Sequence, residues 1–312
     1  MNKKIFAILL SLCMVLGLVA GCSKTTEETT EAETTVEETT EETTSEEVEE
    51  TEAEVEVSDL RVVSLSPEIT EIICALGAED VLVGRSTYCD YPESVFEIPA
   101  VGDLYAMDVE AIAAVEPTVV LASGFIDEDT VAALEEFGIE VMVLTEGTTI
   151  DGMFDLISEV ASIVDKEDEA EDLIADTIAQ FDEISAEATD VSVYYVVGYG
   201  EYGDYTADAN TFINDIIVTA GGVNAGAAAE NWYISLEDLI AADPDIIIIS
   251  EWMYDDFIAT APYSDLTAVT SGNVISVDAN LFERQTPRNV EAVEIVANAI
   301  ADFVEAADEQ AA

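Results

Sequence analysis

The sequence contains no histidine and few basic residues. Of its 312 residues, 8 are Lys or Arg and 69 are Asp or Glu, so the formal net charge is −61 at pH 7. Without histidine the chain lacks the commonest general base and the commonest metal ligand of proteins, which argues against capture of a bare zinc or manganese ion. Phosphate binding depends on Lys and Arg, so the excess of acid also argues against nucleic acid as a partner and against docking on anionic lipid by charge.

Long apolar runs are scarce as well. Ile5–Ala20 is almost unbroken, follows two lysines and is too short for a comfortable transmembrane helix, which needs about 20 apolar residues. We interpret residues 1–21 as a secretory signal. The ending V-A-G-C (Val19–Cys22) resembles the bacterial lipobox, which implies that Cys22 is acylated and anchors the chain outside the cytoplasm. The alternative is an ordinary signal cut nearby that leaves Cys22 as a plain thiol.

Cysteine is rare too, with four in the chain. Cys13 lies in the signal and Cys22 at its end, which leaves Cys74 and Cys89. A disulfide could persist in an exported protein, but the sequence leaves one bridge and two separate thiols equally open.

Residues 22–59 contain little that could form a core. From residue 25 onward they are nearly all Thr and Glu, in the repeating theme E-E-T-T. Because burial cannot offset the entropy of ordering such a segment, we predict a disordered, self-repelling linker that holds the folded part away from the membrane. A cation-binding or glycosylated stalk is the alternative.

From Leu60 the chain alternates between short apolar strands and helices. This order predicts parallel sheets covered by helices on both faces, in an N-terminal α/β lobe over residues 60–149 and a C-terminal one over residues 189–312. The predicted strands are Leu60–Leu65, Val81–Gly84, Thr118–Ala122, Glu140–Leu144, Val191–Val197, Asp245–Ser250 and Val274–Val277.

Between the lobes, residues 150–188 contain no proline and only one glycine, at the start. Apolar residues recur there at intervals of three and four, which predicts one long helix, bent near Asp165 and Lys166. The fold class is therefore α/β, with two lobes joined by a long rigid helix. Ligands of such sheets bind at the carboxyl ends of the strands, which places a ligand cleft between the lobes.

An ordered set of motifs runs from about Leu60 to the C-terminus. The motifs are R-V-V-S-L-S-P-E-I-T-E-I (Arg61–Ile72), A-L-G (Ala75–Gly77), Y-C-D-Y-P (Tyr88–Pro92), V-G-D (Val101–Asp103), E-P (Glu116-Pro117), A-G-G-V-N (Ala220–Asn224), A-D-P-D-I-I-I-I-S (Ala242–Ser250) and F-E-R-Q-T-P-R (Phe282–Arg288). This set resembles the helical-backbone periplasmic binding proteins, the receptors of ABC importers for cobalamin, haem and ferric siderophores, and it is most similar to the cobalamin-binding branch. The resemblance implies a monomeric receptor, not an enzyme, that takes up an intact metal chelate, needs no cofactor of its own, and delivers the ligand to permease subunits with their ATPase.

The family docks on its permease through one glutamate on each lobe. By order and spacing, the resemblance places these at Glu128 and Glu237. Both open predicted helices, where an acid also favours the helix dipole, so a purely local role is the alternative.

A large, partly flat chelate needs aromatic faces and a few directed polar groups. Candidate side chains lie in predicted loops at strand ends, although Trp252 could instead cap the strand before it. The expected ligand-binding residues are Tyr88, Asp90, Tyr105, Tyr205, Trp232, Trp252, Phe282 and Arg284.

The small number of cations limits the classes of ligand that we expect. The predicted folded part contains only five cations, so a near-neutral corrinoid or ferric hydroxamate fits better than a polyanionic catecholate. Ala122-Ser123 stands where the cobalamin branch can carry a tryptophan, so one stacking wall is missing or replaced. Haem remains an alternative with a tyrosine ligand, since there is no histidine.

An enzyme and a non-transport surface lipoprotein are the rival functions. The sequence has no Ser/His/Asp set and no P-loop, which argues against an enzyme.

Overall fold

The structure, a computed structural model, describes residues 59–103, 106–124, 126–184 and 187–311. The predicted signal, Cys22, nearly all of the linker and Tyr105 lie outside the described residues. Among the described helices, none combines the length and the apolar character needed to cross a bilayer.

The N-terminal lobe is built on a four-stranded parallel sheet of strand order β2-β1-β3-β4. All three strand pairs are parallel, which confirms the predicted parallel sheet. Parallel neighbours need a crossover connection, and the helices between the strands provide it. The elements are β1 (Val62–Ser64), α1 (Pro67–Ala75), β2 (Leu82–Arg85), α2 (Val109–Ala114), β3 (Val119–Ala122), α3 (Glu128–Glu136) and β4 (Glu140–Val143).

The helical connector is present, but as two helices, α4 (Ile150–Val164) and α5 (Glu167–Ile184), rather than one. Asp165 takes a left-handed conformation with φ 57°, which ends α4 at the predicted bend. The chain then reverses, since the ring centroids of Phe154 and Phe181 are only 6.4 Å apart. Helical periodicity did not reveal this reversal because an aspartate tolerates left-handed φ without interrupting the apolar pattern.

The C-terminal lobe is a six-stranded mixed sheet. Its main path is β10-β9-β5-β6-β8, and β7 pairs with β5. The sequence predicted the three long strands but not the short antiparallel β6 and β8, whose few residues carry no clear alternation. The elements are β5 (Ser192–Gly198), β6 (Asp204–Thr206), α6 (Phe212–Thr219), β7 (Val223–Asn224), β8 (Tyr233–Ile234), α7 (Leu236–Ala242), β9 (Ile246–Ser250), α8 (Glu251–Ala259), α9 (Thr267–Ser271), β10 (Val274–Val277), α10 (Asn280–Glu283) and α11 (Asn289–Ala311).

One apolar cluster runs through both lobes. Alternate strand residues divide between the two faces of each sheet: Ile246 and Ile248 belong to the shared cluster, and Ile247 and Ile249 to a separate outer one. The shared cluster also includes Leu156 and its neighbours on α4, together with residues of α1, α6 and α11. Because the connector packs into a core common to both lobes, it restrains their relative movement.

A buried ion network joins the lobes beside this core. Glu71 on α1 accepts from Arg284 Nη1 at 2.8 Å and from Arg288 Nη2 at 2.7 Å and Nε at 2.8 Å. Arg284 Nη1 also lies 2.6 Å from Asp90, and the Arg288 guanidinium lies 3.9 Å from the ring centroid of Tyr91. Burial alone would lower the pKa of Arg284, but hydrogen bonds to Asp90 and Glu71 outweigh it and raise that pKa. The network therefore fixes charged groups of both lobes in one geometry.

We expect Glu71→Ala to destabilise the protein strongly, because it leaves two arginines buried without their main partner. Breaking such a pair costs about 3–5 kcal/mol, whereas an exposed pair contributes about 0–1 kcal/mol. The matched control is Glu169→Ala, which removes the exposed pair of Lys166 and Glu169. Urea unfolding of both variants measures the difference, and equal stabilities would contradict a structural role for the network.

Candidate ligand-binding site

A cavity of about 780 Å³ lies at the carboxyl ends of the C-lobe strands. It is closed on one side by the segment between β4 and α4, whose position is fixed by the 2.7 Å hydrogen bond from the Ile150 amide to Asp215 on α6. Its lining is Glu146, Gly147, Thr148, Val197, Asp208, Asn210, Thr211, Phe212, Ile213, Asn231, Trp232, Ser250, Trp252, Met253, Ala279, Phe282, Glu283 and Gln285. The cavity therefore has the size and placement expected of a small-molecule site.

Three of the predicted ligand residues line this cavity. Trp232 lies just before β8 with φ 68°, and its carbonyl accepts from the Thr206 amide at 2.8 Å, which fixes the loop against β6. Trp252 stands in the first turn of α8 and is 78% exposed. Phe282 is fully buried and packs on Tyr195 with ring centroids 5.2 Å apart, so it forms part of the floor. The two indoles thus offer aromatic surface to a flat ligand, and the buried phenyl ring of Phe282 packs beneath the cavity.

The other predicted residues have different surroundings. Tyr88, Asp90 and Arg284 lie together at the lobe junction, where Arg284 Nη2 donates to the Tyr88 carbonyl at 3.1 Å. Tyr205 is on β6, where its hydroxyl donates to the Tyr202 carbonyl at 3.1 Å. None of these four is among the cavity-lining residues. Their contact with a ligand stays a prediction, and the occupied guanidinium of Arg284 gives it no support.

Glu128 and Glu237 are both exposed, each in the first turn of a helix. Glu128 opens α3 in the N-terminal lobe, and Glu237 lies on α7 in the C-terminal lobe. Each lobe therefore presents one of the two predicted docking glutamates to solvent. Their role in docking stays a prediction.

The cavity wall is acidic and lacks cations. Glu146, Asp208 and Glu283 line it, and no Lys or Arg does. The five cations among the described residues are all engaged elsewhere: Arg61 and Arg85 with backbone carbonyls, Lys166 with Glu169, and the other two at the lobe junction. A ligand with several negative charges would find no cation in this lining to offset the charge of the acids.

Two of the cavity acids are held in unusual environments. Burial, together with the charge and hydrogen bonding of Glu68, raises the pKa of Glu146 from 4.5 to about 8. Burial also raises the pKa of Glu283, although a hydrogen bond from the Tyr195 hydroxyl at 3.1 Å opposes the shift. At neutral pH, Glu146 is therefore largely protonated and can donate as well as accept a hydrogen bond.

The sequence interpretation missed Glu146, Glu283 and Gln285. Glu146 follows β4 at its carboxyl end, so the same strand-end rule would have found it. Glu283 lies between two predicted site residues in F-E-R, and Gln285 comes two residues later. Sequence reasoning did not single out the two glutamates because Asp and Glu are abundant throughout this chain, so that an acid in a loop does not by itself indicate a site.

The loop Gly198–Gly203 has the spacing G-x-G-x-x-G of dinucleotide-binding turns. In those proteins the motif leads from a strand into a helix. Here it connects β5 to the antiparallel β6, so the local structure gives no support to a nucleotide-dependent enzyme. In the same described part of the chain, no group of three or more Cys, Asp or Glu side chains is placed to hold a metal ion.

Two α/β lobes with a common core, a helical connector and a cavity at strand ends define a two-lobed ligand-binding protein. The sequence profile described as "Periplasmic binding protein" matches residues 62–281, and the chain belongs to that family. This confirms the resemblance and the fold class. Members of the family are binding proteins.

Individual relatives agree with this assignment. The "Cobalamin-binding protein" of Halobacterium salinarum (strain ATCC 29341 / DSM 671 / R1) is 31% identical over 261 residues, covering 77% of this chain and 69% of that protein. The ABC transporter substrate-binding lipoprotein YvrC of Bacillus subtilis (strain 168) is 27% identical over 250 residues, covering 77% and 79%. The apo structure of the periplasmic heme-binding protein RhuT from Roseiflexus sp. RS-1 superposes with a TM-score of 0.71 at 25% identity, covering 78% and 98%.

We expect Glu146→Gln to change how stability depends on pH. The folded-state pKa of this acid is raised, so between pH 4.5 and about 8 the folded protein keeps a proton that the unfolded chain releases. Wild-type stability is therefore lost as pH rises through that window, and the glutamine variant is spared this loss. Thermal unfolding at pH 5 and pH 8 should show the variant gaining at least ~3 °C relative to wild type at the higher pH. Parallel curves for the two proteins would contradict the shift.

Proposed function

We propose that this protein is the extracytoplasmic receptor of an ABC importer and that it captures a corrinoid, a cobalamin-like ligand, in the 780 Å³ cavity. The observation that carries the proposal is the chemistry of the wall. Trp232 and Trp252 supply aromatic surface, and the polar groups are carboxyls, amides and hydroxyls without a Lys or Arg. A corrinoid combines a large apolar ring with peripheral amides, and such groups match this wall.

The wall also discriminates among the ligands of related receptors. Haem has carboxylate side chains and ferric catecholates are strongly anionic, so each needs cations that the lining residues do not provide. Haem would also seek an axial His or Tyr, and the lining includes neither. The name of the Halobacterium relative supports a corrinoid, whereas the name of the Roseiflexus neighbour favours haem. The absence of cations from the cavity lining supports a corrinoid over haem, and a near-neutral ferric hydroxamate is the second candidate.

The N-terminus provides the attachment in this proposal. Acylation of Cys22 would hold the receptor at the membrane, and the acidic linker would let the lobes reach the permease. The lipoprotein name of the Bacillus relative supports this anchor. The exposed acids Glu128 and Glu237, one on each lobe, are the proposed contacts with basic groups of the permease, which set the register of docking more than its affinity.

Ligand identity is tested by titrating residues 58–312 with cyanocobalamin, dicyanocobinamide, a ferric hydroxamate and haem while following tryptophan fluorescence. We expect saturation at micromolar concentration or below by the corrinoids. Trp232→Ala should weaken corrinoid binding about tenfold or more, because a buried aromatic contact is lost. Tyr202→Ala, at an 88% exposed position outside the cavity lining, is the control. Saturation by haem alone would overturn the corrinoid assignment.

Docking is tested by reversing charge at Glu128 and Glu237 together. We expect ligand uptake by cells to fall by about tenfold or more while the dissociation constant of the purified receptor stays within twofold, because both carboxylates lie outside the cavity. The control reverses Glu171 and Glu159, two exposed acids on the connector. If the first pair instead abolishes ligand binding, or the control pair reduces uptake equally, the docking assignment is wrong.

A further inference from the structure

Three buried side-chain polar atoms have no hydrogen-bond partner in the part of the chain that the structure describes. They are Glu68 Oε1, Gln285 Oε1 and Thr286 Oγ1. A buried polar atom without a partner is costly and calls for an explanation. One of them, Gln285 Oε1, belongs to a residue that lines the cavity, and a second, Glu68 Oε1, belongs to a residue paired with the cavity residue Glu146. Together they suggest that a hydrogen-bond partner is missing on this side of the cavity.

Glu68 forms a carboxyl pair with Glu146. Its side chain is buried, with 7% exposure, in the first turn of α1, where the helix dipole favours a carboxylate. Glu146 comes from the opposite side, after β4, lines the cavity, and is close enough to Glu68 for a hydrogen bond between the two carboxyls. One shared proton can bridge the pair, but it leaves the remaining oxygen lone pairs without donors.

Gln285 adds a neutral acceptor to the same wall. Its side chain is 5% exposed, and its Nε2 donates to the Gly147 carbonyl in the segment next to Glu146. Because a carbonyl can only accept, this bond sets the orientation of the amide and points its unpartnered oxygen elsewhere. Gln285 and Glu146 both line the cavity, so acceptors from both lobes meet at this point.

We infer that Glu146 and Gln285, with Glu68 paired to Glu146 outside the lining, form a subsite that accepts N–H donors of the ligand, with peripheral carboxamides as the chemical class it recognises. This inference rests on the proposed function, because it assigns a place in the same cavity to one part of a corrinoid. A primary amide brings two donors, which match the acceptors left over in this subsite. An ester or a carboxylate at the same position brings none.

The charged groups around this subsite make ligand affinity depend on pH. Asp208 and Glu283 share the cavity wall with Glu146, and the Cys89 thiol lies close enough to Glu68 to feel its charge. Arg284 and Arg288 lie at the lobe junction with Glu71. The junction cations already bind Glu71, so ligand amides are the donors that can stabilise the ionised pair. Ligand binding then displaces the shared proton, and affinity for an amide-bearing ligand rises with pH.

The test compares two corrinoids that differ in their side chains, dicyanocobinamide and dicyanocobyrinic acid heptamethyl ester, which carries esters in place of the amides. Neither probe titrates near neutral pH. Dissociation constants are measured at about pH 6 and about pH 9 for wild type and for Glu68→Gln/Glu146→Gln. The matched control, Glu159→Gln/Glu171→Gln, removes the same charge at exposed positions on the connector.

We expect wild type and the control to bind the amide probe about tenfold or more tightly than the ester, and the amide affinity to rise about tenfold across the pH range. Both effects should disappear in Glu68→Gln/Glu146→Gln, because the two glutamine amides can hydrogen-bond to each other. Equal binding of amide and ester by wild type, or an unchanged pH dependence in the variant, would overturn the subsite while leaving the corrinoid receptor intact. If neither probe binds wild type, both the subsite and the proposed corrinoid receptor are wrong. The wild-type comparison decides the matter even if the variant does not fold.

Discussion

The buried contact of Glu71 with Arg284 and Arg288 is the constraint on which the rest of this structure depends. It ties α1 of one lobe to the segment before α11 of the other, and Arg284 extends the tie to Asp90. Removal of Glu71 would leave the largely buried Arg284 and the partly buried Arg288 without the carboxylate they share, so this contact holds the two lobes in one relative position. The apolar cluster that runs through α4 acts in the same direction. A cleft between lobes fixed in this way is preformed rather than assembled around its ligand.

The same contact determines the chemistry of the cavity. The folded part of about 250 residues contains five cations. Two of them bind Glu71 at the lobe junction, and the other three contact backbone carbonyls or Glu169. The cavity is left with acids, amides and aromatic rings. Because the described arginines and lysine are engaged elsewhere, the cavity lining has no cation that could neutralise an anionic ligand.

Much of the architecture was predictable because it repeats a local rule. Apolar runs such as Ile246–Ile249 are strands buried on both faces, and the structure divides their residues between two cores as a parallel sheet requires. The connector was predicted as one helix because the apolar spacing continues through Asp165. Its reversal depends on how α5 packs beside α4, shown by Phe154 against Phe181, and no local pattern encodes that choice.

The sequence by itself determined the class of fold, the order of the lobes, the aromatic candidates Trp232, Trp252 and Phe282, and the scarcity of cations. These follow from composition, periodicity and motif order, which are properties of neighbouring residues. Only the tertiary structure decided that Arg284 faces Glu71 rather than the cavity, and that Glu68 meets Glu146. Those pairs join residues 213 and 78 positions apart, and in a chain with 69 acids no sequence rule selects which carboxylates will be brought together.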